Sequence, residues 1–322
     1  MSVHGKRVLI TGGSGLIGSH LARACVREGA QVTCVLRSGS NPWRLLEARP
    51  LIQCVEVDLT DAVSVASMVN EVQPEIIFHL AADTNRKRKL ELYEGLHATH
   101  VRSTLNLVSA ALTLPKVTRF VYTGTIEEYG RGPVPFREDQ REQAISPYSL
   151  TKLAASQLVL YAAREQGLPA VVLRPSLTYG PLKGKGMFIP DCIHAAMTTK
   201  IFAMSLGEQT RDFIHVDDVV RAHLAAAVAI GIEGEVLNVA TGVETPLKYV
   251  SEKIRTLFDG HLEIQYGAYP CDPRVETMRC FMDVQKIAER LSWRSMIGLD
   301  DGLARTVEWY RNSSNNYPEL WR

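Results

Sequence analysis

The stretch SPYSLTK, residues 146–152, sets Tyr148 and Lys152 four positions apart, just after a proline. On a helix, residues at i and i+4 share a face, so a phenol and an ammonium here could act together on a proton. Taken alone, the spacing is also that of any solvated helix surface. A second constellation lies near the start, where ITGGSGLIGSH places Gly12, Gly15 and Gly18 between a strand-like run and a helix start. Gly12 allows a tight turn, Gly15 removes a Cβ where a pyrophosphate would approach the backbone, and Gly18 lets helix and strand pack closely. The helix that follows, with Leu16 and Ile17 at its beginning, offers unpaired N–H groups to an anion. This spacing, flanked by the elements it needs, points to a dinucleotide site; an ordinary strand–helix turn is the alternative.

The end of the second strand bears on which dinucleotide binds. A carboxylate there would bond the ribose 2′-hydroxyl of NAD(H). The chain instead reads VLRSGSN, with Arg37 and no acid. A guanidinium suits a 2′-phosphate through forked, charge-assisted bonds. NADP(H) is therefore favoured over NAD(H), against the alternative of a solvent-facing arginine. Further on, VEVDLTD ends a strand with Asp58 and Leu59. Asp58 could meet the adenine amino group or cap the next helix, a task open equally to Thr60 and Asp61.

These groups need a scaffold. The runs RVLIT (7–11), QVTCVL (31–36), IQCVEV (52–57), EIIFHLA (75–81), RFVYTGT (119–125) and AVVLRP (170–175) alternate with helical periodicity at 15–29, 61–72, 90–113 and 146–166. Apolar strands alternating with helices predict an α/β fold, a Rossmann-type doubly wound parallel sheet covered on both faces. After about residue 175 the rhythm breaks at TYGPLKGKGMFIP, rich in Gly and Pro, and a helix is predicted near 217–230. The reading is a dinucleotide-binding domain over 1–175 plus about 210–245, with a smaller lobe over about 176–209 and 246–322. That lobe would form the other wall of a cleft at the carboxyl ends of the strands.

Composition narrows the classes. The chain has 322 residues, 46% of them hydrophobic, enough for a sizeable core. Its net charge of +1 supplies no global field for nucleic acid or an anionic membrane, and neither is expected as a partner. No apolar run is long enough to span a bilayer, and no signal-peptide pattern opens the chain. Six scattered Cys without a C-x-x-C read as reduced thiols, so no metal site and a cytoplasmic setting are expected. The basic cluster NRKRKL, Arg86 to Lys89, reads as a solvated loop face, with a place near an anionic substrate as the alternative.

With these pieces assembled, the chain resembles the extended short-chain dehydrogenase/reductase family, in its nucleotide-sugar epimerase, dehydratase and reductase branch. TGGSGLIGSH, DLTD, FHLAA, YTGTIEEYG, SPYSLTK, LRPSLTYGP and GEQTRDFIHVDDVVRA carry the likeness, which runs from about residue 5 to 311. The resemblance implies that Tyr148 and Lys152 are the family's catalytic Tyr-x-x-x-Lys pair and Thr125 its Ser/Thr. A free phenol has a pKa near 10, so Lys152 is expected to lower it while also binding nicotinamide-ribose hydroxyls. In HLAA (79–82), the backbone of Leu80, Ala81 and Ala82 would pass along the cofactor, and His79 reads as a packed strand residue. Arg211, in QTRDFIHV, matches an arginine that clamps the substrate diphosphate; a structural pair with Asp212 or Asp217 is the alternative. A homodimer through the helices near 90–113 and after Tyr148 is implied, the latter carrying Leu153, Ala154, Leu158 and Tyr161 at helical spacing; simple packing on the sheet is the alternative.

The chain also departs from the pattern. Leu177 stands where the family often has Asn, and His100 replaces another Asn. Tyr269 replaces a late phosphate-binding Arg, for which Arg274 is a candidate substitute. After Thr125 comes Ile126-Glu127-Glu128. In 4,6-dehydratases of the family two carboxyls at the first two positions drive elimination. Glu127 keeps one as a candidate acid–base group, unless it is a solvated loop carboxylate; Ile126 cannot deliver a proton, which weakens elimination. The first expectation is therefore NADPH-dependent reduction of a 4-keto-6-deoxy nucleotide sugar with Tyr148 as proton donor. A nucleotide-sugar 4-epimerase or 4,6-dehydratase with tightly held NAD(P) comes next, and reduction of a non-nucleotide carbonyl last. A cofactor-binding sensor without chemistry would be expected to lose the Tyr–Lys pair, which this chain keeps.

Overall fold

The computed structural model describes residues 2–272 and 276–321. The apolar runs become β1 (Arg7–Thr11), β2 (Gln31–Leu36), β3 (Gln53–Glu56), β4 (Ile76–His79), β5 (Arg119–Thr123) and β6 (Ala170–Pro175). With Val236–Val239 they form one seven-stranded sheet in the order Val236–Val239, β6, β5, β4, β1, β2, β3. Every pairing in it is parallel, with Ile10 of β1 opposite Cys34 of β2 and Phe78 of β4. Strand side chains alternate between faces. Val8, Ile10, Phe78, Val121 and Leu173 meet α1 (Leu16–Arg27) and α7 (Val216–Val228), while Leu9, Ile77, Phe120, Tyr122 and Val172 meet α2 (Ala62–Val72), α4 (Ser103–Leu112) and α5 (Pro147–Gln166). Each such buried side chain contributes about 1.5–3 kcal/mol. The fold is thus the doubly wound Rossmann type.

Two strands stop earlier than their composition suggests. β4 ends at His79 and β5 at Thr123, because the residues that follow leave the ladder to line the cleft. The helical region near 90–113 is also not uniform. A 3-10 turn at Leu90–Leu92 leads into α3 (Tyr93–His97), then a π turn at Ala98–Arg102, then α4. Each hydrogen-bonded ring of a π turn holds one residue more than in an α-helix. The buried His100 lies at the middle of that turn. α2 is capped by Asp61, whose carboxylate accepts from the Val63 N–H, so Asp58 is not the cap.

Beyond β6, short strands pair outside the main sheet. Leu177–Tyr179 pairs with Phe213–His215, and Thr210–Arg211 pairs with both Thr245–Pro246 and Arg279–Cys280. α6 (Phe188–Met197), α8 (Leu247–Leu257) and α10 (Leu299–Ser313) enclose a separate core around Ile193, Phe213, Ile254, Leu303 and Tyr310, while α9 (Gln285–Leu291) sets Ile287 into the core that α1 and α7 share with the sheet. Between these pieces the chain returns to the main sheet through α7 and Val236–Val239. No helix among the described residues is long and apolar enough to cross a membrane.

Candidate active site

The glycine turn follows β1. Gly12 has φ +68°, and a Cβ there would lie 2.7 Å from the Leu80 carbonyl carbon and the Ala81 nitrogen. A Cβ on Gly18 would stand 2.2 Å from the Gly12 oxygen, so helix and turn pack at backbone contact. Gly15 caps α1 without a side chain, leaving the first-turn N–H groups of Leu16 and Ile17 facing outward. Beneath the turn, Thr11 Oγ1 accepts from the N–H groups of Leu80 and Ala81, both at 3.2 Å. Thr11 also meets His79 Nδ1 at 2.6 Å, and His79 Nε2 meets Thr104 at 2.9 Å. Burial lowers the His79 pKa to about 3, with Lys152 pushing the same way, so the ring is a neutral pin. His79 is indeed a packed strand residue.

A cavity of ≈ 950 Å³ opens at the carboxyl ends of β1, β4, β5 and β6, lined by the glycine turn, Leu80, Ala82, Thr125, Glu127, Tyr148 and Lys152. A smaller cavity of ≈ 320 Å³ between Arg137–Asp139 and Asp283–Glu289 touches none of these groups. The large one suits an extended dinucleotide: the turn has no Cβ where a phosphate would approach, and N–H groups point into it. Arg37 is exposed just past β2 and has no carboxylate partner among the described residues. Asp58 and Leu59 lie just past β3, where Asp58 Oδ1 accepts from the Thr60 N–H at 2.9 Å and the Leu59 carbonyl accepts from Asn106 at 3.0 Å.

α5 begins at a reciprocal cap in which Ser146 accepts from the Ser149 N–H at 3.1 Å and Ser149 accepts from the Ser146 N–H at 3.0 Å. Pro147 opens the helix with a fixed φ. The cap sets Tyr148 and Lys152 into the cavity on one face. Lys152 Nζ donates to the Thr123 carbonyl at 2.6 Å and lies 4.3 Å from the centre of the Tyr122 ring. Burial lowers its pKa to about 8, against the pull of Glu128. The expectation that Lys152 tunes the phenol needs correction. Burial dominates at Tyr148 and raises its pKa to about 12. The strongest opposing charge is Arg86, whose guanidinium stands 5.4 Å from the ring centre, with a smaller downward pull from the Thr125 hydroxyl. At neutral pH Tyr148 is therefore a protonated phenol.

The two carboxylates after Thr125 part company. Glu128 is fully buried; it accepts from the Thr125 N–H at 2.9 Å, Ser156 at 2.8 Å and Arg174 at 2.8 Å, and so belongs to the frame. Glu127 faces the cavity and pairs with Arg86 Nε at 2.5 Å. Burial raises its pKa, opposed by Arg86, Arg211 and Arg88. Ile126 points into a small core with Tyr129, Phe136 and Met282. Arg211 Nη1 donates to the carbonyls of Thr210 and Thr277, both at 2.8 Å, rather than pairing with Asp212 or Asp217. Arg274 lies outside the described residues. His100 binds Thr151 at 2.8 Å and the Asp83 carbonyl at 2.9 Å, its ring edge-on to Tyr148. Burial, helped by Lys152, lowers its pKa to about 3.

Arg86 takes the alternative stated for the basic run, a place in the cavity rather than on a solvated loop face. The run follows a strand's carboxyl end, where open α/β sheets bind ligands, and that position favours the alternative. In comparison with known proteins, residues 8–240 match the NAD dependent epimerase/dehydratase family. The chain belongs to that family. It is 31% identical to a UDP-N-acetyl-alpha-D-glucosaminuronate decarboxylase of Bacillus cytotoxicus, over 97% of this chain and 99% of that one. It is 32% identical to a UDP-glucose 4-epimerase of Mycolicibacterium smegmatis, over 96% and 99%. The structure of MoeE5 in complex with UDP-glucuronic acid and NAD aligns with a TM-score of 0.82 at 29% identity, over 95% and 99%. The family thus identifies an NAD-dependent enzyme of the extended short-chain dehydrogenase/reductase class.

Proposed function

We propose that this chain reduces the carbonyl of a 4-keto-6-deoxy nucleotide sugar, with NADP(H) preferred over NAD(H). The observation that carries the reading is Tyr148, buried in the cavity and kept in its acid form by that burial. A protonated phenol at neutral pH is a proton donor, the role that net reduction requires. The bound coenzyme supplies hydride to the carbonyl carbon. Tyr148 gives its proton to the carbonyl oxygen, Thr125 aligns that oxygen, and Lys152 binds the ribose beside the nicotinamide while holding the Thr123 carbonyl. Arg86 stabilises the phenolate left behind. Ile126, packed into a core, removes one of the two carboxyls that water elimination uses. Arg37, free of any carboxylate partner among the described residues, favours the 2′-phosphate. Asp58 and Leu59 flank the adenine, and the backbone of Leu80, Ala81 and Ala82 runs beside the cofactor. Arg211, aided by Arg274, holds the substrate diphosphate in the smaller lobe.

Glu127 favours a second reading. A cavity carboxylate with a raised pKa beside the sugar suits a 4-epimerase or 4,6-dehydratase that holds its coenzyme through a closed oxidation–reduction cycle. The decisive measurement is absorbance of added NADPH with a 4-keto-6-deoxy nucleotide sugar. Steady, stoichiometric loss supports the reductase; sugar conversion with no net loss of NADPH supports the second reading. Neither conversion nor loss, across uridine, thymidine, cytidine and guanosine diphosphate sugars, would discard both. We also propose a cytoplasmic homodimer paired through α4 and α5. On these helices Leu105, Leu112, Leu150 and Tyr161 are 46%, 39%, 47% and 55% exposed. Light scattering on the purified chain tests the pairing.

A further inference from the structure

The Gly- and Pro-rich segment after β6 reads as plain loop, yet residues 182–186 form a strap in which Leu182, Lys183, Lys185 and Gly186 are each tied to a different part of the chain. The Leu182 carbonyl accepts from Arg44 Nε at 2.9 Å, and the Lys183 carbonyl accepts from the Tyr310 hydroxyl of α10. The Lys185 N–H donates to the Leu320 carbonyl at 3.1 Å, and the Gly186 N–H to Asp191 at 2.9 Å. Arg44 also donates through Nη1 to the Ser14 carbonyl in the glycine turn at 3.3 Å, its guanidinium lying 4.0 Å from the centre of the Trp43 ring. One arginine therefore ties the strap to the turn. So anchored, the strap holds Lys183 in the same cavity as Gly12, Ser14 and Gly15.

The charge there is unbalanced. The charged groups that act on the Lys183 ammonium are Arg86 and Arg44, and among the described residues no carboxylate pairs with it. Burial and these two guanidiniums lower its pKa to about 8. Arg44 is likewise lowered, to about 10, chiefly by burial. Cations crowded this way repel each other until an anion arrives between them. The N-terminus of α1 aims its N–H groups and the positive end of its dipole into the same cavity.

We propose that Lys183 and Arg44 close a clamp on the pyrophosphate of the dinucleotide coenzyme, opposite the N-terminus of α1, so that the strap and the glycine turn hold one diphosphate between them. This rests on the coenzyme reading above. The chemistry is that of any nucleoside diphosphate, and the Arg44–Ser14 bond assigns it to the coenzyme end of the cavity rather than to the sugar end.

The test uses calorimetric titration of the full-length protein and its Lys183→Met and Lys183→Gln variants. Ligands are NADP⁺, NAD⁺, ADP and adenosine, with UDP and dTDP titrated into protein saturated with NADP⁺. The clamp requires both variants to bind NADP⁺, NAD⁺ and ADP about tenfold more weakly, with adenosine unchanged. Removing an unpaired ammonium should leave the melting temperature of the unliganded variants at or above that of the parent, which separates lost binding from lost folding. Unchanged binding of NADP⁺ and ADP overturns the clamp. So does weakening confined to UDP or dTDP, which would move the site to the substrate. A parent protein that binds neither NADP⁺ nor NAD⁺ would overturn the coenzyme reading itself and the clamp with it.

Discussion

On the sheet side of the cleft, His79, His100 and His223 are buried, neutral and hydrogen-bonded to Thr11, Thr104, Thr151 and Thr123. On the opposite side, Arg44 and Lys183 crowd together with no carboxylate between them among the described residues. The histidines of one wall have both ring nitrogens satisfied within the protein. The other keeps charge that only an anion from outside can balance. The same division recurs between adjacent residues: Glu128 is consumed by the frame, while Glu127 keeps a shared, solvent-reachable ion pair. Side chains that hold the site together and side chains that act in it are thus distinguished by whether their partners are already present.

Tyr148→Phe should have the largest effect. It removes the proposed proton donor and nothing from the frame, so turnover should fall about 10²–10⁴-fold while melting temperature and coenzyme binding stay unchanged. A variant that keeps its turnover would remove Tyr148 from the acting side of the division. The next contrast sets Arg174→Ala against Glu127→Gln. Arg174 serves two carboxylates, Glu128 and Glu142, from a fully buried position, and truncating it should cost about 3–5 kcal/mol by chemical denaturation. Glu127→Gln should leave the denaturation midpoint in place and alter only the rate. Equal destabilisation by both would erase the distinction between these neighbours.

The histidine wall predicts a pH dependence. In the fold, His79 and His100 have pKa values lowered to about 3 and His223 to about 4, burial being the main cause in each. An unfolded histidine takes up a proton near pH 6.5. Stability is thus complete above that value and declines as pH falls below it. Each of these groups can add up to about 1.4 kcal/mol per pH unit to the slope. Denaturation curves at pH 7.5 and pH 5 should show the loss, and equal midpoints would mean that the rings are charged in the fold. The smallest expected effect is that of Arg86→Met. Turnover should drop about tenfold with coenzyme affinity intact, the reverse of the outcome for Lys183→Met. Weakened NADP⁺ binding by both would merge the two cationic groups into one site.

How much of this could be read beforehand depended on whether the information was local. β6, the start of α5 and the glycine turn follow from periodicity, a serine cap and steric demand, all written within a few residues. The inward turn of Ile126, the burial of Glu128 and the place of Arg86 follow from where loops settle against distant elements. No spacing in the chain states that Arg44 reaches both Ser14 and Leu182. The electrostatics of Tyr148 were misassigned for the same reason. Lys152 is its neighbour on the helix, yet the ammonium is engaged by Thr123, and the strongest charge opposing burial arrives from a loop 62 positions earlier, at residue 86.

The π turn at Ala98–Arg102 makes the chain's length there a matter of catalytic geometry. Deleting a single residue from it would restore an ordinary helix; α3 and α4 would keep nearly the same phase, because a π turn takes up its extra residue by widening, but the side chains within the widened turn, His100 at its centre, would be re-aimed. His100 could no longer touch both Thr151 and the Asp83 carbonyl, and the loop that carries Arg86 would lose its tether. A gene shortened by one codon at this point would encode a protein that still closes its sheet, yet presents the wrong edge to Tyr148.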